Sequence, residues 1–185
     1  MRSKEIVAKA REFKAGFGVK CSKFAGAISV EILRASLADE AIATSCRDVF
    51  IRGIPVEIDL LVPRPGEVPS LALLYEPGQV AAALEVKNSG SFGDATLEKL
   101  RKDFGRFERA GIPCAYVTLE ERQGYRWAAS SERIGFPCFT LAWHKAAGGA
   151  FQVTADWNQL VEFLRECLSA RRASRAEGPP AKAVD

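Results

Sequence analysis

Two apolar runs that carry charge in their middle constrain this chain more than any other feature. The first, Pro55-Val56-Glu57-Ile58-Asp59-Leu60-Leu61-Val62, holds two acids. The second, Val80-Ala81-Ala82-Ala83-Leu84-Glu85-Val86-Lys87-Asn88, holds an acid and a lysine two positions apart. Glycine and proline punctuate both, so both are predicted as strands. Side chains i and i+2 of a strand share a face, about 7 Å apart. The alternation predicts Val56, Ile58, Leu60 and Val62 on one face and Glu57, Asp59 and Leu61 on the other. It likewise separates Leu84 and Val86 from Ala83, Glu85 and Lys87. Charge on buried strands is costly unless it is paired or binds a metal. If the strands are neighbours, Asp59, Glu85 and Lys87 meet.

The flanking segments supply the rest of an α/β domain. Ile6, Val7, Ala10 and Phe13 fall at helical spacing in residues 1–14. Ile28, Ile32, Leu33 and Leu37 form the apolar stripe of a second helix over 26–38, with Glu31 at the edge of that stripe. Val49 to Arg52 reads as a strand joined to the 56–62 run by Gly53-Ile54-Pro55, as a tight hairpin or a bulge. Leu71 to Tyr75 is a possible short strand, and Asn88 to Gly93 a glycine-rich turn. Residues 96–110 form a helix with Leu97, Leu100, Phe104 and Phe107 inward, capped by Asp94 or Thr96 and stopped at Gly111. Cys114 to Leu119 is a buried strand, so the helix is a crossover between parallel strands. An aromatic region over 125–157 precedes a last helix, capped near Asp156 and carrying Leu160, Val161, Phe163, Leu164 and Leu168. The expected organisation is one domain over 1–168, with a basic, disordered tail over 169–185.

Composition narrows the function classes. At 48% hydrophobic and 26% charged the chain is globular in character. A net charge of +3 means that any nucleic-acid partner would be held by a local patch. Five scattered cysteines without a CxxC pair read as reduced thiols, and no stretch reaches the ~18–20 apolar residues of a membrane span. With no apolar leader at the start, a cytoplasmic protein is expected. His144 is the single histidine, which excludes a multi-histidine zinc site.

Two carboxylates with a lysine suit a hard cation. Mg²⁺ takes six oxygens but usually only one or two protein carboxylates, leaving positions for water and phosphate. Asp59 and Glu85 are the candidate ligands, with the main-chain carbonyl of Val86 as a further oxygen. Lys87 is placed to orient or help deprotonate a water, or to stabilise the transition state. The same tripeptide also fits a solvated strand face with a cross-strand ion pair.

At these residues the chain resembles the PD-(D/E)XK nuclease superfamily. Asp59 matches the first acid, Glu85 and Lys87 match the (D/E)-x-K motif, and Glu31 matches the helical acid that many members add. The likeness covers about residues 26–119. Ile58 stands where the eponymous proline would be. The resemblance implies a restriction-endonuclease-like αβββαβ core, with a central mixed β-sheet flanked by helices. It further implies a catalytic set of Asp59, Glu85, Lys87 and Glu31, with Mg²⁺ as cofactor and Mn²⁺ able to substitute. DNA is the implied substrate, and a homodimer or a partner subunit is expected if both strands of a duplex are cut. Glu57 is a candidate supporting acid or a rim charge. Ser89 and Ser91, and the cations Lys99, Arg101, Lys102 and Arg106, are candidate DNA contacts. The alternative is a non-catalytic nucleic-acid-binding or assembly protein on the same fold.

Overall fold

The computed structural model describes residues 2–71, 73–89, 93–145 and 149–176. Two helices come first, α1 (Arg2–Gly16) and α2 (Ser22–Asp39). The second starts earlier than its apolar stripe suggests, because the Cys21 thiol accepts the Phe24 N–H and caps it. Strands β1 (Val49–Ile51) and β2 (Ile54–Ile58) form an antiparallel hairpin with Ile51 opposite Ile54. Gly53, at φ +81°, makes that tight turn possible.

The apolar run does not continue straight. It breaks at Asp59 and resumes as β3 (Leu60–Pro63), and the two halves belong to different sheets. A short β4 (Leu74–Tyr75) pairs parallel with β1. Next come β5 (Val80–Lys87), α3 (Asp94–Arg109) and β6 (Cys114–Thr118). The main sheet has the order β3-β5-β6-β8, where β8 is Cys138–Thr140. Its β3–β5 pair is antiparallel, and β5–β6 and β6–β8 are parallel. The parallel crossover through α3 is therefore as expected. A third sheet joins β7 (Glu121–Arg122), β9 (Ala142–His144) and β10 (Phe151–Val153), and a short α4 (Ser131–Ile134) precedes β8.

The final helix, α5 (Asp156–Ala176), runs past the expected boundary near Ser169. The segment is rich in Ala and Arg, which are strong helix formers. Residues 177–185 of the expected tail lie outside the described residues.

The main sheet is buried on both faces. Leu60, Val62, Leu84, Val86 and Val117 pack with α1, α2 and α5 in one apolar cluster. Leu61, Ala83 and Tyr116 pack with Phe104 and Phe107 of α3 in the other. Trp157 and Phe139 of the aromatic region complete the first cluster, and Phe136 packs edge-on against Phe104 in the second. All five cysteines are free thiols. No helix is long and apolar enough to cross a membrane among the described residues.

Candidate active site

The break at Asp59 creates the site. Antiparallel register pairs Leu60 of β3 with Leu84 of β5, so an unbent strand would set Ile58 opposite Val86. Ile58 instead pairs with Val49 of β1. The departing strand leaves the Val86 N–H without a ladder partner, and the Asp59 carboxylate takes that place. Its Oδ2 accepts the Val86 N–H at 2.7 Å and the Lys87 ammonium at 3.0 Å. Lys87 Nζ also lies 2.5 Å from Glu85 Oε1. The N–H and C=O of one strand residue point to the same edge. The Val86 carbonyl thus faces the edge that Asp59 occupies.

The bend also reverses the facing pattern. Val56 and Ile58 pack on the α3 side, while Leu60 and Val62 pack on the opposite side. The single apolar face expected for Val56, Ile58, Leu60 and Val62 is therefore corrected. One residue slipped at the bend inverts every side chain beyond it. On β5 both faces are apolar through Ala83, and charge appears only at the C-terminal end. Glu85 and Lys87 project toward α3 there.

A cleft of about 450 Å³ opens at this point between β2, the end of β5 and α3. Four acids line it, Glu57, Asp59, Glu85 and Asp103, against three cations, Lys87, Lys99 and Arg106. Asp59 and Glu85 are 20% and 22% exposed, and Lys87 is 41% exposed. Burial, and next the charge of Asp59, hold the Glu85 carboxyl above the usual carboxylate range despite the opposing pull of Lys87 and Lys99. Burial lowers the Lys87 pKa, but the two carboxylates outweigh it and leave the ammonium raised. Tyr116 stands beside Glu85 on the next strand. Burial, then Glu85, push its phenol well above its ordinary range, so it is a neutral group at the floor of the cleft.

The other expected site residues divide. Glu31 is not brought to the triad. It pairs with Arg34 at 2.7 Å on α2, whose apolar side packs in the cluster on the opposite side of the sheet. Glu57 is exposed and lines the cleft, with no ion pair to the triad among the described residues. The basic helix face splits in two, because 101 lies on the opposite side of α3 from 99 and 106. Lys99 and Arg106 line the cleft. Arg101 instead donates to the main-chain carbonyls of Ile134 and Arg133, tethering α3 to α4, and Lys102 is exposed outside the cleft. Ser89 is exposed and donates to Glu121 Oε1 at 3.3 Å. Ser91 lies outside the described residues. Gly93, not Asp94 or Thr96, occupies the N-cap of α3, without a side-chain cap.

Sequence reasoning passed over three acids. Asp103 lines the cleft and pairs with Arg106 at 2.7 Å. Its spacing from Lys99 and Phe107, four residues each way, was the available signal. Glu120 and Glu121 are buried just past β6. Arg11 and Lys14 of α1 contact Glu120, while Ser89 and the Ala129 N–H contact Glu121. Nothing in the local sequence marks either as buried.

Among the described residues, no three His, Cys, Asp or Glu side chains converge into a metal cage. No protein-family model matches the chain, and no curated protein or solved structure matches it either.

Proposed function

We propose that this chain is a metal-dependent endonuclease that hydrolyses DNA phosphodiester bonds on a restriction-endonuclease-like core. One observation carries the reading. Asp59, from the bend between two strands, and Glu85, from the end of a third, converge on the Lys87 ammonium at 3.0 and 2.5 Å in an open cleft. The element order α2, β1, bent β2/β3, β5, α3, β6 supports the αβββαβ assignment.

The donor set fits a hard cation. The Asp59 and Glu85 carboxylates meet at the Lys87 ammonium, with the Val86 carbonyl on the edge that Asp59 occupies, and two carboxylates suffice for Mg²⁺ or Mn²⁺. The four acids and three cations of the cleft leave it at −1. One divalent cation brings it to +1, the sign that a phosphodiester requires. Such an ion, when bound, polarises a phosphoryl oxygen and lowers the pKa of a bound water.

The chain's own residues supply the remainder. Lys87 holds a water in line with phosphorus and stabilises the charge that builds on the phosphoryl oxygens. Asp59 fixes Lys87 and the Val86 main chain in one geometry. Lys99 and Arg106 flank the carboxylates and take the phosphates on either side of the scissile bond. Glu31 has no part in this scheme. A single cleft cuts one strand, so double-strand cleavage requires a second copy or a partner subunit.

The closed Asp59–Lys87–Glu85 network also favours a second reading, a non-catalytic DNA-binding protein on the same fold. Incubation with supercoiled and single-stranded DNA in Mg²⁺ or Mn²⁺ separates the two. Cleavage that vanishes in Asp59→Ala and Lys87→Ala supports the nuclease. Binding without cleavage under all of these conditions supports the second reading.

A further inference from the structure

The turn between α1 and α2 carries an aromatic and cationic surface that the cleft does not use. From Phe13 to Val30 the sequence holds three lysines, Lys14, Lys20 and Lys23, and no acid. Phe13 and Phe17 are 47% and 45% exposed. The Phe17 N–H donates to the Phe13 carbonyl at 3.2 Å, so the rings project from one face of the same helical turn. Phe17 stacks on Phe24, with centroids 4.0 Å apart and planes inclined by 16°. Gly18, at φ +77°, then turns the chain into α2.

Lys20 and Lys23 are exposed and make no ion pair among the described residues. Beside Phe24 lies a cleft of about 470 Å³ lined by Lys14, Lys20 and the first residues of α2. The Lys14 ammonium donates to Asn88 Oδ1 at 2.5 Å, and Asn88 directly follows Lys87. This surface is therefore contiguous with the end of β5.

Two exposed rings on one helical turn, beside Lys20 and Lys23, suit a ligand with flat π faces and a regularly charged backbone. A single nucleic-acid strand has both, and base–aromatic stacking is tolerant of sequence. A duplex hides its base faces. An anionic membrane would also accept phenylalanines and lysines, but it needs no continuity with Asn88. We infer that the α1–α2 turn binds single-stranded nucleic acid, with bases on Phe13 and Phe17 and phosphates on Lys20 and Lys23. The inference concerns binding and does not depend on cleavage.

The test uses the full chain carrying Asp59→Ala, in EDTA, so that cleavage plays no part. Fluorescence anisotropy follows a labelled oligothymidylate of about twenty nucleotides, long enough for a multi-base site. A duplex of equal length and phosphatidylserine vesicles serve as competing ligands. Phe13→Ala weakens strand binding roughly 5-fold or more, the low end for one lost base stack. Lys20→Ala with Lys23→Ala makes the slope of log affinity against log salt shallower by about 1.4. Lys4→Ala, elsewhere on α1, changes neither, and circular dichroism checks that each variant is folded. No strand binding by the parent, or unchanged binding in folded Phe13 and Lys20/Lys23 variants, would overturn the proposal. Tighter binding to duplex or to vesicles than to the strand would overturn it too.

Discussion

Replacing Lys87 with methionine removes the ammonium while keeping an unbranched apolar stem of nearly the same length. The lost nitrogen lies 2.5 Å from Glu85 Oε1 and 3.0 Å from Asp59 Oδ2. An exposed ion pair contributes at most ~1 kcal/mol. Removing one partner of a fully buried pair costs ~3–5 kcal/mol. With Lys87 41% exposed and its partners about half as open, the loss falls between these limits. We expect about 2 kcal/mol near neutral pH, which lowers the melting temperature by roughly 4–8 °C in a domain of this size.

The loss should depend on pH. Glu85 already has a raised pKa from burial and Asp59, and it rises further once the ammonium is gone. A carboxyl raised in this way binds its proton more tightly folded than unfolded. Its contribution to stability is greatest below the ordinary carboxylate value and falls as pH climbs through the folded-state value. Lys87, itself raised, stabilises throughout acid and neutral pH and loses that effect only above the ordinary lysine range. The deficit of Lys87→Met is therefore largest near neutrality and narrows as pH falls and the Glu85 carboxyl takes up its proton. Millimolar Mg²⁺ should raise the melting temperature of the variant more than that of the parent, since no ammonium competes for the two carboxylates. Thermal melts across pH, with and without Mg²⁺, read both effects. A deficit that is constant from pH 5 to 8, together with no response to Mg²⁺, would refute this reasoning.

Asp59→Ala leaves the Val86 N–H without its acceptor, so denaturant unfolding should show a loss of about 1–3 kcal/mol in addition to the loss of activity. Glu31→Gln should leave the rate of DNA cleavage within a factor of about two, because Glu31 is held by Arg34 outside the cleft. A large drop in that assay would restore the helical acid to the site. Alkylation of the native protein near pH 8 should label Cys21 and Cys46, which are exposed. Burial pushes the Cys138 thiol up to about 12 and that of Cys167 to about 11, and Cys114 is buried and raised further. Mass spectrometry should find these three labelled only after unfolding.

The parts of this site that follow local periodicity were legible in the sequence. Glu85 and Lys87 share a face because they lie two apart on a strand that pairs with β6 from Ala83 to Lys87. The acid in the apolar run was legible too, but its bend was not. Ile58 takes its register from β1 and Leu60 takes its register from β5, and no local pattern records that change of partner. Glu31 shows the same limit on a helix. Its place beside the apolar stripe of α2 was correct, but which side of the sheet receives α2 depends on tertiary packing. On α3 the cations differ in phase, so Arg101 reaches α4 while Lys99 lines the cleft. Glu120 and Glu121 are buried by α1 and by the chain around Ala129, distant segments whose approach is invisible along the strand.

The most direct test of the central claim is the initial rate of supercoiled plasmid cleavage in Mg²⁺ by the parent, Asp59→Ala and Lys87→Ala. The account predicts metal-dependent cleavage by the parent, abolished by EDTA, and a fall of roughly 10²–10⁴-fold in either variant. Cleavage that persists in both folded variants would contradict it, and so would a parent that cuts neither supercoiled nor single-stranded DNA with Mg²⁺ or Mn²⁺.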